Sequence, residues 1–234
     1  MSVISYVSPK GGAGKSTSCL IFGLMIAHNG VDVTFIDADP NHTIGDWSKL
    51  PGLPAHVTVK EDANEDTIVD TIDDARKQAK FVLVDLEGTA SVMVNYAIGR
   101  SDLVVIPIQA SAPELKQAIR TVRLIRLQEK MTGRSIPFVL LFTRIPATAV
   151  TRRYRSIDEQ LGELSLPVLD AQLIERDAFK ALMADGGDLY SLNPARVPNI
   201  KAAIENAEAY ASKLVYFLRH KSNPEMPALE AVNA

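Results

Sequence analysis

The sequence is poor in cysteine and in aromatic residues, and it has no excess of positive charge. Cys19 is the single cysteine among 234 residues, so an internal disulfide framework is excluded and a reducing compartment is the natural setting. The formal net charge of −3 excludes a chain coated in positive charge, although it is compatible with a local basic patch.

Long apolar runs and targeting signals are also missing from the sequence. No stretch approaches the ~18–20 apolar residues that a membrane span needs, and the first residues lack the basic and apolar regions of a signal peptide. With 47% hydrophobic residues, the chain is long enough for one core. We therefore expect a cytoplasmic protein with no membrane partner, a single domain over residues 1–220, and a flexible tail over 221–234.

Short apolar runs rich in β-branched residues alternate with longer helical patterns. The predicted strands are 3–8, 31–37, 81–86, 103–108 and 138–143, with weaker ones at 57–59 and 166–169. The predicted helices are about 14–29, 65–79, 113–131, 150–162, 176–185 and 198–220. Near-continuous apolar strands indicate a mostly parallel sheet covered on both faces. This pattern predicts a doubly wound α/β fold, in which ligands bind beyond the carboxyl ends of the strands.

A glycine-rich segment, PKGGAGKST (9–17), follows the first predicted strand. Its ending, Gly-Lys-Ser, is that of a P-loop, which binds nucleotide phosphates. A standard P-loop would have glycine where Pro9 stands, and a second lysine, Lys10, follows directly.

Each residue type in this segment suits phosphate chemistry. The glycines at 11, 12 and 14 allow backbone N–H groups to converge on phosphate oxygens at a helix N-terminus. Lys15 is expected to reach the β- and γ-phosphates, and the Ser16 hydroxyl to bind Mg²⁺. A simple strand-to-helix turn would not require the Lys-Ser pair.

Two further predicted strands end in acidic residues. Asp37 and Asp39 lie at the tip of the second strand, and Asp85 ends the strand FVLVD as a Walker B candidate. An acidic residue at a strand end is often only a turn residue or a helix cap. Three of them at the binding edge of one sheet, beside a P-loop, indicate Mg²⁺-nucleotide chemistry.

The segments KGGAGKST, DADP and LVDLEG, taken together, resemble the deviant-Walker ATPases of the ParA/MinD family. The sequence is most like the short plasmid-partition ParA proteins that lack an N-terminal operator-binding domain. The likeness extends from Val3 to about Leu218. It implies a P-loop NTPase fold with a deviant Walker A motif, and ATP and Mg²⁺ as cofactors.

The resemblance also implies roles for individual residues. Lys10 would reach across a nucleotide-sandwich dimer to the partner's phosphates, and Asp39 would orient or activate the attacking water. Asp37 and Asp85 would support the metal through water. The implied nucleotide-binding set is Gly11, Gly12, Ala13, Gly14, Lys15, Ser16 and Thr17, with Thr143 and Arg144 as candidates for contacting adenine.

Two segments differ from the pattern of the family. After DADP most relatives have Gln-Gly-Asn, whereas this chain has Asn41-His42-Thr43. After Asp85 many have Thr-Pro-Pro, whereas this chain continues Leu-Glu-Gly. These differences concern the switch geometry and the hydrolysis rate, not nucleotide binding, and we interpret Glu87 as a switch-loop or interface charge.

Basic residues gather in two segments, TRRYRS and ERDAFK. For any one of them a solvated helix face is the ordinary interpretation. In a partition-type ATPase they would together contact DNA phosphates without sequence preference. The candidates are Arg152, Arg153, Arg155, Arg176 and Lys180, with Arg219 and Lys221 as a possible extension.

The resemblance implies a partition ATPase with weak intrinsic activity. ATP-Mg²⁺ binding would drive a homodimer that binds DNA on the nucleoid, and a centromere-binding adaptor would stimulate hydrolysis and release. Three alternatives stay open: a VirC-type accessory ATPase of conjugative DNA transfer, an ATPase that positions a protein cargo, and a small-molecule ligase of the dethiobiotin-synthetase type.

Overall fold

A computed structural model describes residues 1–8, 11–88, 91–146 and 152–220, without the side chains of 152–156 and 158. Three predictions therefore lie outside the described part of the chain. They concern Lys10, the tail over 221–234 with Lys221, and the side chains of Arg152, Arg153 and Arg155.

The strands form one sheet in the order β3-β2-β4-β1-β5-β6-β7, and every neighbouring pair is parallel. Their bounds are β1 (Ser2–Tyr6), β2 (Val33–Ala38), β3 (Val57–Lys60), β4 (Phe81–Leu86), β5 (Leu103–Ile108), β6 (Phe138–Ile145) and β7 (Val168–Ile174). The expected doubly wound α/β fold is confirmed.

The helices are α1 (Lys15–His28), α2 (Thr43–Ser48), α3 (Ile68–Gln78), α4 (Val92–Arg100), α5 (Ala112–Thr132), α6 (Arg152–Glu163), α7 (Asp177–Asp185) and α8 (Ile200–Arg219). Helices α1, α2, α7 and α8 share one apolar core with the sheet, and α3, α4, α5 and α6 share a second core on its other face. Among the described residues, no helix is both long and apolar enough to cross a bilayer.

Two of these helices, α2 and α4, are absent from the helices predicted from the sequence. Helix α2 has only six residues. The side chain of Asp37, in β2, caps it by accepting the N–H groups of Ile44 and Gly45. Helix α4 is short and rich in residues of modest helix propensity, and its N-cap is Ser91, whose hydroxyl accepts the Val94 N–H at 3.2 Å. Both are stabilised by caps and packing more than by a long amphipathic pattern.

Candidate nucleotide-binding site

The glycine-rich loop joins β1, at the middle of the sheet, to α1. Gly12 and Gly14 have φ values of 85° and 84°, in the left-handed region that favours glycine. A Cβ on Gly14 would also come within 3.3 Å of Cβ of Thr143. Gly14 is the N-cap of α1 and has no side chain to cap it, so the first N–H groups of the helix can bind an anion.

Two side chains from neighbouring strands hold this loop in place. The buried Thr143 hydroxyl donates to the Ala13 carbonyl at 2.6 Å, and Gln109 Nε2 donates to the Gly12 carbonyl at 3.1 Å. In a planar trans peptide the N–H points away from the carbonyl. Holding these two carbonyls therefore directs the N–H groups of Ala13 and Gly14 to the opposite side of the loop.

We expect Thr143→Val to bind ATP roughly 3- to 10-fold more weakly than the parent, because the buried Ala13 carbonyl loses its hydrogen bond at nearly constant side-chain shape. Thr143→Ser keeps the hydroxyl and is the matched control, with near-parental affinity expected. Titration calorimetry would measure both. Equal affinity in the valine and serine variants would show that the hydroxyl does not position the loop.

Lys15 lies between two of the three predicted acidic residues. Its Nζ is 2.6 Å from Asp39 Oδ2 and 3.3 Å from Asp85 Oδ1, and all three side chains are largely buried. Burial by itself lowers the pKa of the Lys15 ammonium, but the charges of Asp85 and Asp39 outweigh it and raise that pKa. Lys15 is therefore a stable cation beside the glycine-rich loop.

The two carboxylates respond differently to this environment. Burial raises the pKa of Asp85 to about 6 in spite of the Lys15 charge. Burial also acts to raise the pKa of Asp39, but the hydrogen bond from Lys15 and those from Asn41 outweigh it and hold that pKa below its ordinary value. The N–H and the side-chain amide of Asn41 donate to Asp39 Oδ1 at 3.0 and 2.8 Å. Asp39 is therefore an ionised and oriented carboxylate.

Asp37 makes a different set of contacts. It lies directly beside Asp85 in the β2–β4 register, but its Oδ2 accepts the N–H groups of Ile44 and Gly45 at 2.9 and 2.8 Å. Its Oδ1 accepts the Asp39 N–H at 3.2 Å. Asp37 thus caps α2 and shapes the turn that contains Asp39, so its direct contacts are to the backbone.

Asp85 and Ser16 suit a magnesium ion. Asp85 Oδ2 is buried and has no hydrogen-bond partner among the described residues, which is costly for a carboxylate oxygen unless a cation or water reaches it. The Ser16 side chain lowers the pKa of Asp85 by hydrogen bonding. Hard oxygen donors of this kind, supplemented by phosphate oxygens, are what Mg²⁺ prefers in nucleotide sites.

Two adjoining clefts open beside the loop. A cleft of about 390 Å³ is bordered by the glycine-rich loop, Lys15, Ser16, Asp39 and Glu87. A pocket of about 310 Å³ shares Gly14, Thr17 and Arg144 with it, and its other walls include the apolar side chains of Leu173, Phe179 and Met183. A polar cleft joined to a mainly apolar pocket matches the two halves of a nucleotide, phosphates and base.

The described DNA-binding candidates lie in two places. Arg176 and Lys180 both line the apolar pocket, and Lys180 Nζ lies 3.3 Å from Glu175 and 3.4 Å from Asp177. Both belong to the start of α7, which packs on the opposite face of the sheet from α6. Arg219, at the end of α8, borders a separate cavity near Tyr190 and Tyr216.

The VirC1 protein family model matches residues 1–217 of this chain. Protein ParA from Rhizobium radiobacter is 38% identical over 211 residues, which cover 90% of this chain and 95% of that protein. The chain belongs to the ParA/VirC1 family. The expected membership of the ParA/MinD-type ATPases is confirmed.

Solved structures show the same fold at low identity. A plasmid partition protein from Borrelia burgdorferi, bound to AMPPNP, has a TM-score of 0.69 at 18% identity, over 94% of this chain and 99% of that one. Cobyrinic acid a,c-diamide synthase from Mycobacterium smegmatis, with bound ADP and magnesium, has a TM-score of 0.68 at 16% identity, over 98% of this chain and 99% of that one. This ParA/VirC1-family chain therefore shares its fold with a plasmid partition protein and with cobyrinic acid a,c-diamide synthase.

Sequence reasoning missed Gln109 and Asn41 as site residues. Gln109 follows the apolar strand LVVIPI directly, so it stands at a strand end as the acidic residues do. Asn41 stands two residues after Asp39, the spacing at which an Asp side chain accepts a backbone N–H in an Asx-turn. Each of these sequence positions is only a weak indication by itself. The folded structure gives them meaning, because it brings Gln109 to the glycine-rich loop and Asn41 to the side chain of Asp39.

Proposed function

We propose that this chain is an ATP-dependent DNA-partition ATPase of the ParA type. The observation that carries the proposal is Lys15, held at the glycine-rich loop between Asp39 and Asp85. In this buried cluster Lys15 would bind phosphate, Asp85 would bind the metal and Asp39 would orient the attacking water. The bound nucleotides of the structural neighbours support ATP and Mg²⁺ as ligands.

Nucleotide binding would begin at the loop. The N–H groups of residues 11–17 and the Lys15 ammonium would bind the phosphates, and Thr17 would contact the α-phosphate. We assign the base to the apolar pocket beside Thr143 and Arg144, against Phe179. Ser16 and Asp85 would hold Mg²⁺, with Asp37 supporting it only through water, and the ion would neutralise phosphate charge.

Hydrolysis would depend on Asp39. A triphosphate that binds Lys15 competes with Asp39 for the ammonium, so binding would release Asp39 Oδ2 while Asn41 still holds Oδ1. A carboxylate with a lowered pKa is a weak base. We therefore propose that Asp39 mainly orients the attacking water, with slow turnover in the absence of a partner.

Dimerisation, DNA and the adaptor complete the proposal. Lys10 of each subunit would bind the partner's phosphates, so that ATP holds two subunits together. The dimer would bind DNA without sequence preference through Arg152, Arg153, Arg155, Arg176 and Lys180, and would lie on the nucleoid in the cytoplasm. A centromere-binding adaptor would stimulate hydrolysis and release.

The match to the VirC1 model favours a second candidate, an accessory ATPase of conjugative DNA transfer. The chemistry at the site would be the same, and the DNA-bound partner would differ. ATP turnover stimulated by DNA together with an adaptor protein would support either role. Turnover that rises only with a metabolite would instead indicate a ligase.

Lys10→Ala tests the proposed dimer. We expect this variant to keep most of its ATP affinity, because Lys15 and the loop N–H groups remain, but to stay monomeric with ATP. Light scattering with ATP would measure the mass. Lys201→Ala, which removes an exposed lysine on α8, is the control and should dimerise like the parent. A Lys10→Ala protein that dimerises equally well would remove Lys10 from the interface.

A further inference from the structure

The exposed charged residues of α5 are all basic, and the apolar side chains of Leu127 and Met131 are exposed beside them. Lys116, Arg120, Arg123 and Lys130 are all exposed, and we call this set the α5 stripe. At 100° per residue they lie within an arc of about 80° on the helix surface. The stripe extends along the helix for about 21 Å, at 1.5 Å per residue.

The acidic residues of α5 do not compensate this charge. Glu114 is buried, and Glu129 is largely buried, where it accepts from Arg126 at 2.6 Å and from the Ile136 N–H at 2.7 Å. Within the described part of the chain, Lys116 and Lys130 form no ion pair. The stripe therefore concentrates positive charge on a protein whose formal net charge is −3.

The surroundings of the stripe differ from those of Lys180. The ammonium of Lys180 is shared by two carboxylates, Glu175 and Asp177. Arg120 instead donates to the neutral amide oxygen of Gln117 at 3.4 Å, and it forms no ion pair with any residue that the structure describes. Helix α4, which packs beside α5, contains no acidic residue in its sequence VMVNYAIGR. A polyanion could approach α5 without meeting negative charge on either helix.

We propose that the α5 stripe binds the phosphate backbone of double-stranded DNA. This inference rests on the proposed function, and it assigns DNA contacts to a helix that the sequence analysis did not single out. Each strand of the duplex carries one phosphate per 3.4 Å of helix axis, so the length of the stripe, about 21 Å, corresponds to about six phosphates of one strand, more than the four cations could contact. A rigid helix presents its charges in fixed positions, which suits a regular array of phosphates better than a flexible acidic peptide.

The test neutralises the stripe in the full chain. We expect the quadruple variant Lys116→Gln, Arg120→Gln, Arg123→Gln, Lys130→Gln to bind random-sequence DNA more weakly in the presence of an ATP analogue. The log–log slope of affinity against salt should fall by up to about 3.6, at about 0.9 per lost phosphate contact. The single variant Arg120→Gln should lower this slope by about 0.9. ATP affinity should stay parental, since no stripe residue borders the nucleotide clefts.

A matched control carries the same change of net charge elsewhere. Lys49, Lys77, Lys201 and Lys213 lie outside α5, and their replacement by glutamine should leave the slope unchanged. If the parent binds DNA and the stripe variant binds it as well as this control does, the inference fails while the proposed function stands. If the parent binds no DNA with any nucleotide, both fail. Binding of polyglutamate through the stripe, without DNA binding, would assign the surface to an acidic protein and overturn the proposal.

Discussion

Lys15→Ala is expected to abolish measurable ATP binding. The ammonium lies in a largely buried site, where charge-assisted hydrogen bonds to phosphate are strong and no other described lysine borders the cleft. Its loss also leaves the carboxylates of Asp39 and Asp85 without their shared cation, so the site would repel an anionic ligand. Titration calorimetry with ATP and Mg²⁺ would measure the effect.

Controls separate lost binding from lost folding. Breaking a buried ion pair costs about 3–5 kcal/mol, so thermal unfolding of Lys15→Ala must be followed alongside binding. Lys15→Met keeps more of the apolar stem and provides a second variant with the same expected loss. Lys201→Ala, on the exposed face of α8, should bind ATP like the parent. Parental affinity in a folded Lys15 variant would rule out the P-loop assignment.

Asp39→Ala is expected to bind ATP and to hydrolyse it roughly 10²–10⁴-fold more slowly, the range for a lost catalytic carboxylate. Binding should persist because Asp39 competes with phosphate for Lys15, and its removal leaves the lysine near Asp85 alone. Single-turnover measurements with saturating ATP would separate the chemical step from binding.

The matched control for this variant is Asp46→Ala, which removes an exposed acidic residue from α2. This helix packs on the same face of the sheet as α1. Its turnover should equal that of the parent, with or without DNA and adaptor. If Asp39→Ala also hydrolysed ATP at the parental rate under both conditions, another group would have to orient the water.

The sequence by itself determined the sheet, the glycine-rich loop and the positions of the acidic residues. These features depend on local patterns. Apolar β-branched runs predict buried parallel strands, and the glycines of the loop are required by its backbone geometry. Because parallel strands end at one edge of a sheet, the sequence alone predicts that Asp37, Asp39 and Asp85 lie near one another.

Only the tertiary structure decided what each of these side chains does. Asp37 and Asp85 are both strand-end acidic residues, yet one caps α2 and the other lies beside Lys15 with an oxygen open to a cation. The contacts that hold the loop join Gln109 to Gly12 across 97 residues, and Thr143 to Ala13 across 130. Hydrogen bonds between residues so far apart leave no periodic signal, since they depend on which strands become neighbours in the sheet and not on local propensity.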